Sequence, residues 1–307
     1  MMKLTALDRC HLVLFLGLAL SSSFSVKGQT ASPPQDNRRK IVSDDFVKSR
    51  KKAAAPAGKR LDAAKRRRTY RLVVDPTART RPSSAASIRQ LGITIWRLRP
   101  SRSGDSDRRA LIRERSSGAV LVAERVESEG VFREGDYVRL SVESPHGEYL
   151  YVIDRDLLAD GTTGEPMLIF PWSGANNKLI PGRLIDIPGQ EDDPNHFTAR
   201  LSASNQVGEL LTFIVTATPL DLPVADKPLR IAPKQLADWE RSWGAPVERY
   251  EMEGGAGELW TQKEQQAAAK KGNRQLTRDD PAPQTIYRVF TANIKGLLVN
   301  LQLKYEK

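Results

Sequence analysis

Cysteine is nearly absent from this chain. The only one is Cys10, which lies within the first ten residues. A disulfide framework needs at least two cysteines, so the fold must be stabilised by the burial of apolar side chains. The same scarcity excludes a cysteine-rich zinc site, and after residue 10 the chain has no cysteine nucleophile.

Sequence motifs for catalysis are also missing. The chain contains no G-x-S-x-G nucleophile turn, no H-E-x-x-H zinc helix and no phosphate-binding loop. After residue 28 the only histidines are His146 and His196. No serine in a recognisable catalytic motif lies near either of them in the sequence. We therefore predict a non-catalytic protein without a cofactor. An exported hydrolase whose residues are scattered along the sequence is the alternative, and it would require a pocket that joins one histidine to a serine or a carboxylate.

Only one long apolar run is present, residues 11–20, and it is too short for a membrane-spanning helix, which needs about 20 apolar residues. Lys3 and Arg9 precede it, and small or polar residues follow it up to Gly28. This pattern predicts a secretory signal peptide over residues 1–28, with export to the periplasm or the extracellular space. An uncleaved anchor is the alternative.

Positive charge is concentrated near the N-terminus. Residues 32–90 carry 17 Lys and Arg against 5 Asp and Glu, whereas residues 91–307 have a net charge of about −3. Few aromatic or branched residues accompany this charge, so we predict that residues 29–90 form a disordered basic tail. The candidate contacts with polyanions are its densest cations, Lys48, Arg50, Lys51, Lys52, Lys65, Arg66, Arg67 and Arg68.

The partner of this basic tail depends on the compartment. Behind a signal peptide, the nearest polyanions are lipid headgroups and other anionic envelope polymers, so nucleic acid is an unlikely partner. A solvated spacer that binds nothing is the alternative.

From residue 91 onward, short apolar stretches alternate with turn residues. Residues 297–305 place apolar side chains at every second position, which is typical of a half-buried strand. Pro233 and Gly244 bracket a helical pattern over residues 233–243, and a more polar helix is expected over 261–271. We predict a mainly β protein, with a β-sandwich-like domain over 91–220 and one or two peripheral helices. Residues 221–307, with the helix and the closing strand 297–305, form a C-terminal extension expected to pack on the same domain.

Four stretches of the sequence occur in an order that is typical of a known bacterial family. They are IWRLRP at 95–100, REGDYVRL at 133–140, GEYLYVID at 147–154, and the group LIFP, NNKLIPG and IP between 168 and 188. Over about residues 91–220 the chain resembles the bacterial family called domain of unknown function 4384. The resemblance implies an all-β accessory or binding module without assigned catalysis, in a family whose members are often exported. Together with the signal peptide, this predicts an unknown envelope protein or an anionic envelope polymer as the partner.

Two loops contain candidate ligand-binding residues. Asp154, Asp156 and Asp160 are closely spaced carboxylates that could bind calcium, although their spacing departs from that of a calcium-binding EF-hand loop. A solvated hairpin loop is the alternative, because aspartate also favours turns. Trp172 follows Pro171 in a polar loop, where an exposed indole could stack on a sugar or pack against the sandwich edge.

Overall fold

The fold consists of two β-sheets packed face to face. The computed structural model describes residues 43–51, 69–73, 87–103, 105, 111–114, 118–262, 275–278, 280–293 and 295–306. The prediction of a mainly β, sandwich-like protein with few helices is confirmed.

Sheet 1 has nine strands. They are β1 (Tyr70–Val73), β2 (Ser87–Pro100), β3 (Leu111–Arg113), β4 (Val120–Val126), β6 (Tyr137–Glu143), β11 (Ile185–Ile187), β12 (Phe197–Thr198), β15 (Val247–Met252) and β16 (Thr285–Thr291). The long strand β2 organises the sheet. Along one edge β2 pairs first with β16 and then with β4, and along its other edge it pairs with β6.

Sheet 2 has eight strands. They are β5 (Val131–Arg133), β7 (Glu148–Asp154), β8 (Asp156–Leu158), β9 (Met167–Phe170), β10 (Lys178–Leu179), β13 (Gln206–Thr216), β14 (Leu229–Arg230) and β17 (Gly296–Glu306). The long strand β13 lies inside the sheet, because it pairs with β17 on one side and with β7 and β8 on the other. A short edge strand, β5, runs parallel to β17.

The main core lies between the two sheets. Period-two alternation places one set of side chains of each strand on this inner face, as predicted for β17. Because all of these side chains are buried, the sandwich is stabilised by apolar burial without any disulfide. The core includes Leu91, Ile93, Ile95, Val138, Leu140 and Val142 from sheet 1, and Leu150, Val152, Leu211, Phe213, Val215, Leu297, Val299, Leu301 and Leu303 from sheet 2.

The outer face of sheet 1 is also buried, although it is rich in polar side chains. Arg139, Ser141 and Glu143 alternate with the inward-facing residues of β6, and all three are almost inaccessible. Buried polar groups need hydrogen-bond partners. This face therefore requires a covering layer that provides them.

Residues 43–51 form part of that covering layer, with a short helix α1 over residues 43–49. Phe46 is fully buried, and Arg50 forms a two-point ion pair with Glu143, with Nε–Oε1 and Nη2–Oε2 distances of 2.9 and 2.6 Å. Arg50 Nη1 also donates to the backbone oxygen of Asp280 at 2.8 Å. A side chain at Gly92 would collide with Pro283, so glycine allows the covering layer to approach β2.

The prediction that residues 29–90 are disordered is therefore wrong for the parts that the structure describes. Besides residues 43–51, strand β1 pairs with β15, and β2 begins at Ser87 instead of at residue 91. The prediction failed because single buried anchors such as Phe46 and Tyr70 do not stand out in a basic composition. The rest of this segment lies outside the described residues.

The division at residue 220 also differs from the observed architecture. The predicted C-terminal extension supplies β15 and β16 to sheet 1 and the internal strand β17 to sheet 2. The described residues belong to a single compact unit, so residues 221–307 complete the sandwich instead of extending it.

Helix α2 (Pro233–Trp243) has the predicted bounds and covers the outer face of sheet 2. Its Trp239 and Trp243 rings stack with centroids 5.9 Å apart. Gly244 ends the helix in an extended conformation, and its N–H donates to Glu240 O at 2.9 Å. A Cβ there would lie 2.3 Å from that oxygen, which explains why the helix ends at glycine. The predicted second helix, 261–271, lies almost entirely outside the described residues.

We expect that Arg50→Ala lowers the free energy of unfolding by about 3 kcal/mol or more, because it leaves the Glu143 carboxylate buried without its cation. Urea denaturation of the purified protein measures this change. Lys48→Ala, which removes an exposed cation two residues away, should change stability by less than about 0.5 kcal/mol. Equal effects of the two substitutions would contradict the role assigned to the ion pair.

Candidate binding cleft

A cleft opens at the edge of the sandwich where the chain crosses from sheet 2 to sheet 1. Strand β10 pairs with β7 in sheet 2, and β11 pairs with β6 in sheet 1, so residues 180–184 make the crossing. The loops on both sides of this crossing form the cleft walls. We name it the Trp172 cleft; its lining is Phe170, Trp172, Ala175, Asn176, Lys178, Ile180, Arg183, Leu184, Ile185, Asp186, Gly189, Gln190, Glu191 and Asp192.

Trp172 is held in a defined orientation in this cleft. Its ring meets Phe170 edge to face, with centroids 5.4 Å apart and planes at 81°. Its backbone oxygen accepts a hydrogen bond from Ala175 N at 3.0 Å, which closes a tight turn through Gly174 at φ +73°. The indole is half-buried, so it both packs on the sandwich and lines the cleft. The structure agrees with the packing alternative drawn from the sequence, and the stacking of a sugar on this indole stays a prediction.

The loop after Trp172 is tied to sheet 2 by Asn177. Its backbone oxygen accepts from Leu150 N at 2.9 Å, and its side-chain amide donates to Leu150 O at 3.1 Å. Asn176 and Lys178, on either side, are exposed, and Asn176 Oδ1 accepts a hydrogen bond from Lys178 N at 3.0 Å. Two polar side chains therefore lie at the cleft rim while the loop stays anchored.

The opposite wall of the cleft carries acidic side chains. Asp192 Oδ2 accepts from Gly189 N at 2.6 Å, which folds residues 189–192 into a turn. Asp186 is buried and accepts a hydrogen bond from Ser141, whose hydroxyl oxygen in turn accepts from Trp96 Nε1 at 2.8 Å. The cleft wall is therefore continuous with the buried polar layer of sheet 1.

Arg139 lies in the same polar layer and carries a positive charge near the cleft. Its guanidinium donates to Asn195 O and lies over the Trp260 ring, 5.3 Å from the centroid. Burial lowers the pKa of Arg139, and the nearby Asp186 carboxylate opposes this shift. The mutual attraction of the Asp186 and Arg139 charges favours keeping both groups ionised beneath the cleft.

The three aspartates predicted as a calcium site have different surroundings. Asp156 accepts hydrogen bonds from Ser202 and Gln206, at 2.6 and 3.0 Å. Asp160 is exposed and accepts from Thr162 N and Oγ1 at 2.9 and 2.7 Å, which lowers its pKa and holds the local turn. Within the described ranges, no three His, Cys, Asp or Glu side chains are grouped as a metal site would require.

Asp154 has a different environment. Burial raises its pKa from the ordinary 3.8 to about 8, and the negative charge of Glu209 acts in the same direction. Burial also raises the pKa of Glu209, which accepts a hydrogen bond from the Tyr305 hydroxyl. This acidic pair was not predicted, because Glu209 lies more than fifty residues away from Asp154 in the sequence, on β13.

The candidate polyanion contacts separate into three groups. Lys48 and Lys51 are exposed, as such contacts must be. Arg50 is buried against Glu143, so its assignment as a polyanion contact is wrong. Lys52, Lys65, Arg66, Arg67 and Arg68 lie outside the described residues.

The two histidines occupy contrasting environments. His146 is exposed in the turn between β6 and β7. His196 is buried against Tyr137, with ring centroids 3.9 Å apart, and burial lowers its pKa. In the part of the chain that the structure describes, neither histidine ring shares a hydrogen bond with a serine hydroxyl.

Comparison with protein-family models, with curated proteins and with solved structures finds no match to this chain. The resemblance to domain of unknown function 4384 therefore remains a prediction from the motifs. No helix within the described ranges is long and apolar enough to cross a membrane.

The Asp154 carboxyl should make stability depend on pH. Because its pKa is higher in the folded protein, the protonated form stabilises the fold, and this contribution is lost as the pH rises from about 4 to about 8. We expect Asp154→Asn to be more stable than the native protein at pH 8, by at least about 1 kcal/mol, and equal to it at pH 4. Thermal denaturation across this pH range measures the difference.

Asp160→Asn is the matched control, because this exposed aspartate has a lowered pKa. It should show no gain in stability at pH 8. If the two variants have parallel pH profiles, the assignment of the acidic pair is wrong.

Proposed function

We propose that this chain is an exported, non-catalytic binding protein of the cell envelope, which takes up its partner in the Trp172 cleft. The observation that carries the proposal is the composition of this cleft. It combines a half-buried indole and other apolar side chains with the exposed polar side chains of Asn176 and Lys178. Ligand sites in proteins have this combination, because apolar contacts supply affinity and a few polar groups supply orientation.

The sequence supports the other parts of the proposal. The predicted signal peptide over residues 1–28 supports export. The motif resemblance supports a binding module that acts without chemistry of its own. A rigid β-sandwich with functional loops at one edge is a common way to present such a site.

A photo-crosslinking amino acid at Asn176, an exposed position at the cleft rim, tests where the partner binds. In native cells we expect crosslinked products in the envelope fraction, from protein whose N-terminus shows that the signal peptide was removed. The matched control is the same amino acid at Lys304, an exposed position on β17. Identical products at both positions, or protein retained uncleaved in the cytoplasm, would refute the proposal.

The basic segment supports a second contact, with anionic envelope polymers. Lys48 and Lys51 are exposed, and Lys65, Arg66, Arg67 and Arg68 form the densest run of positive charge. A basic residue close to an anionic membrane surface contributes about 1 kcal/mol to binding, and salt weakens this attraction. Deletion up to residue 90 would remove Phe46, Arg50 and β1, so the test requires substitutions instead.

We expect that replacing Lys65, Arg66, Arg67 and Arg68 by glutamine weakens binding to phosphatidylglycerol vesicles and reduces its dependence on salt. Vesicle co-sedimentation at several salt concentrations measures both effects. Phosphatidylcholine vesicles, which carry no net charge, provide the control. Unchanged binding to the anionic vesicles would indicate that this segment is a spacer.

A second candidate function, hydrolysis, is favoured by the acidic pair. Two carboxyl groups with raised pKa values can divide the roles of general acid and general base. Asp154→Asn would abolish such an activity, so the native protein and this variant should be compared on chromogenic ester and glycoside substrates. Hydrolysis by the native protein that the variant lacks would favour this function over the binding module.

A further inference from the structure

We propose that the Trp172 cleft binds an uncharged saccharide, with the apolar face of one sugar ring stacked on the indole of Trp172. This inference rests on the proposed function of the cleft as the binding site. It adds the chemical class of the ligand, which the following features of the cleft support.

The first feature is an aromatic platform with a set orientation. A pyranose ring has one face made largely of C–H groups, and this face packs well on the flat surface of an indole. The Trp172 ring is fixed on one side by its edge-to-face contact with Phe170, and the turn to Ala175 fixes its backbone. Pre-organisation of this kind reduces the loss of side-chain freedom when a ligand binds.

The second feature is a rim with both hydrogen-bond donors and acceptors. A sugar hydroxyl both donates and accepts, so it is best matched by groups of both kinds. The exposed polar side chains of the lining are the Asn176 amide and the Lys178 ammonium, which donate, and the Glu191 carboxylate, which accepts. They line the same cleft as the indole, so one ring can stack on Trp172 while its hydroxyls meet these groups.

The third feature is the balance of charge. The cationic side chains Lys178 and Arg183 share the lining with the carboxylates of Glu191 and Asp192. The third carboxylate, Asp186, is buried, and the Arg139 cation beneath the cleft balances its charge. A polyanion would meet these carboxylates, and a polycation would meet the two cations, so neither charge gains a net attraction. The mixed lining therefore favours a ligand without charge, in contrast to the basic segment.

The test uses the mature chain and titration with chitotriose, cellotriose and maltotriose, followed by the indole N–H resonances in nuclear magnetic resonance spectra. The resonance of Trp172 is assigned by its loss in Trp172→Phe. We expect at least one of these neutral sugars to shift this resonance in a saturable way. Trp172→Ala should weaken binding by roughly tenfold, which corresponds to about 1.4 kcal/mol.

Trp239→Ala is the matched control, because this half-buried tryptophan lies on helix α2, outside the cleft lining. Its effect on sugar affinity should be small. Thermal denaturation of both variants separates loss of the ligand contact from loss of folding, and the conservative Trp172→Phe should keep part of the affinity.

Two results would overturn the saccharide inference. One is that none of the three sugars shifts the Trp172 resonance, and the other is that Trp172→Ala and Trp239→Ala weaken binding equally. The crosslinking experiment at Asn176 then distinguishes the two proposals. Crosslinked products at the cleft without sugar binding would refute only the saccharide class, whereas absence of both would also refute the proposed function.

Discussion

The ion pair between Arg50 and Glu143 is the contact on which the organisation of sheet 1 depends. Glu143 ends β6 on the outer face of the sheet, where it is almost fully buried. A carboxylate in that position is tolerated only with a charge partner and hydrogen bonds, because the loss of hydration is otherwise too large. Arg50 supplies both functions and also binds the backbone of residues 280 and 281. One side chain thus joins the N-terminal segment, a sheet strand and a distant loop.

The same requirement explains the layered architecture. Sheet 1 carries an apolar inner face and an outer face that mixes apolar side chains, such as Trp96 and Ile286, with polar ones, and both faces are covered. The apolar face needs only another apolar surface, which sheet 2 provides. The polar side chains of the outer face need hydrogen-bond partners at specific positions, as in the hydrogen-bond chain from Trp96 through Ser141 to Asp186. Asp186 lies at the end of that chain and reaches the wall of the Trp172 cleft.

The proposed functions use different physical interactions in different parts of the molecule. In the cleft, an oriented indole and a mixed polar rim favour a specific ligand of neutral character. In the basic segment, density of positive charge favours a polyanion of any sequence or shape, with strong dependence on salt. The acidic pair of Asp154 and Glu209 belongs to neither surface, and its expected consequence is a contribution to stability that is lost as the pH rises.

Some elements could be predicted because their signals are local. The alternation in β17 and the proline and glycine that bracket α2 depend on residues a few positions apart, and both predictions agree with the structure. The candidate site was only partly predictable. Trp172 stood out by its polar surroundings, but its contact with Phe170 and the opposite wall formed by residues 183–192 depend on how the chain crosses between sheets.

By itself, then, the sequence determined a mainly β architecture, the bounds of α2 and the reliance on apolar burial instead of disulfides. Only the tertiary structure decided which charged residues face solvent. Arg50 and Lys48 are both cations of the same short basic run in the sequence. Arg50 is nevertheless buried against Glu143, whereas Lys48 is exposed. Asp154 and Asp160 differ in the same way. The physical reason is that burial and charge partners come from residues far away in the chain, whereas periodicity and turn chemistry come from near neighbours.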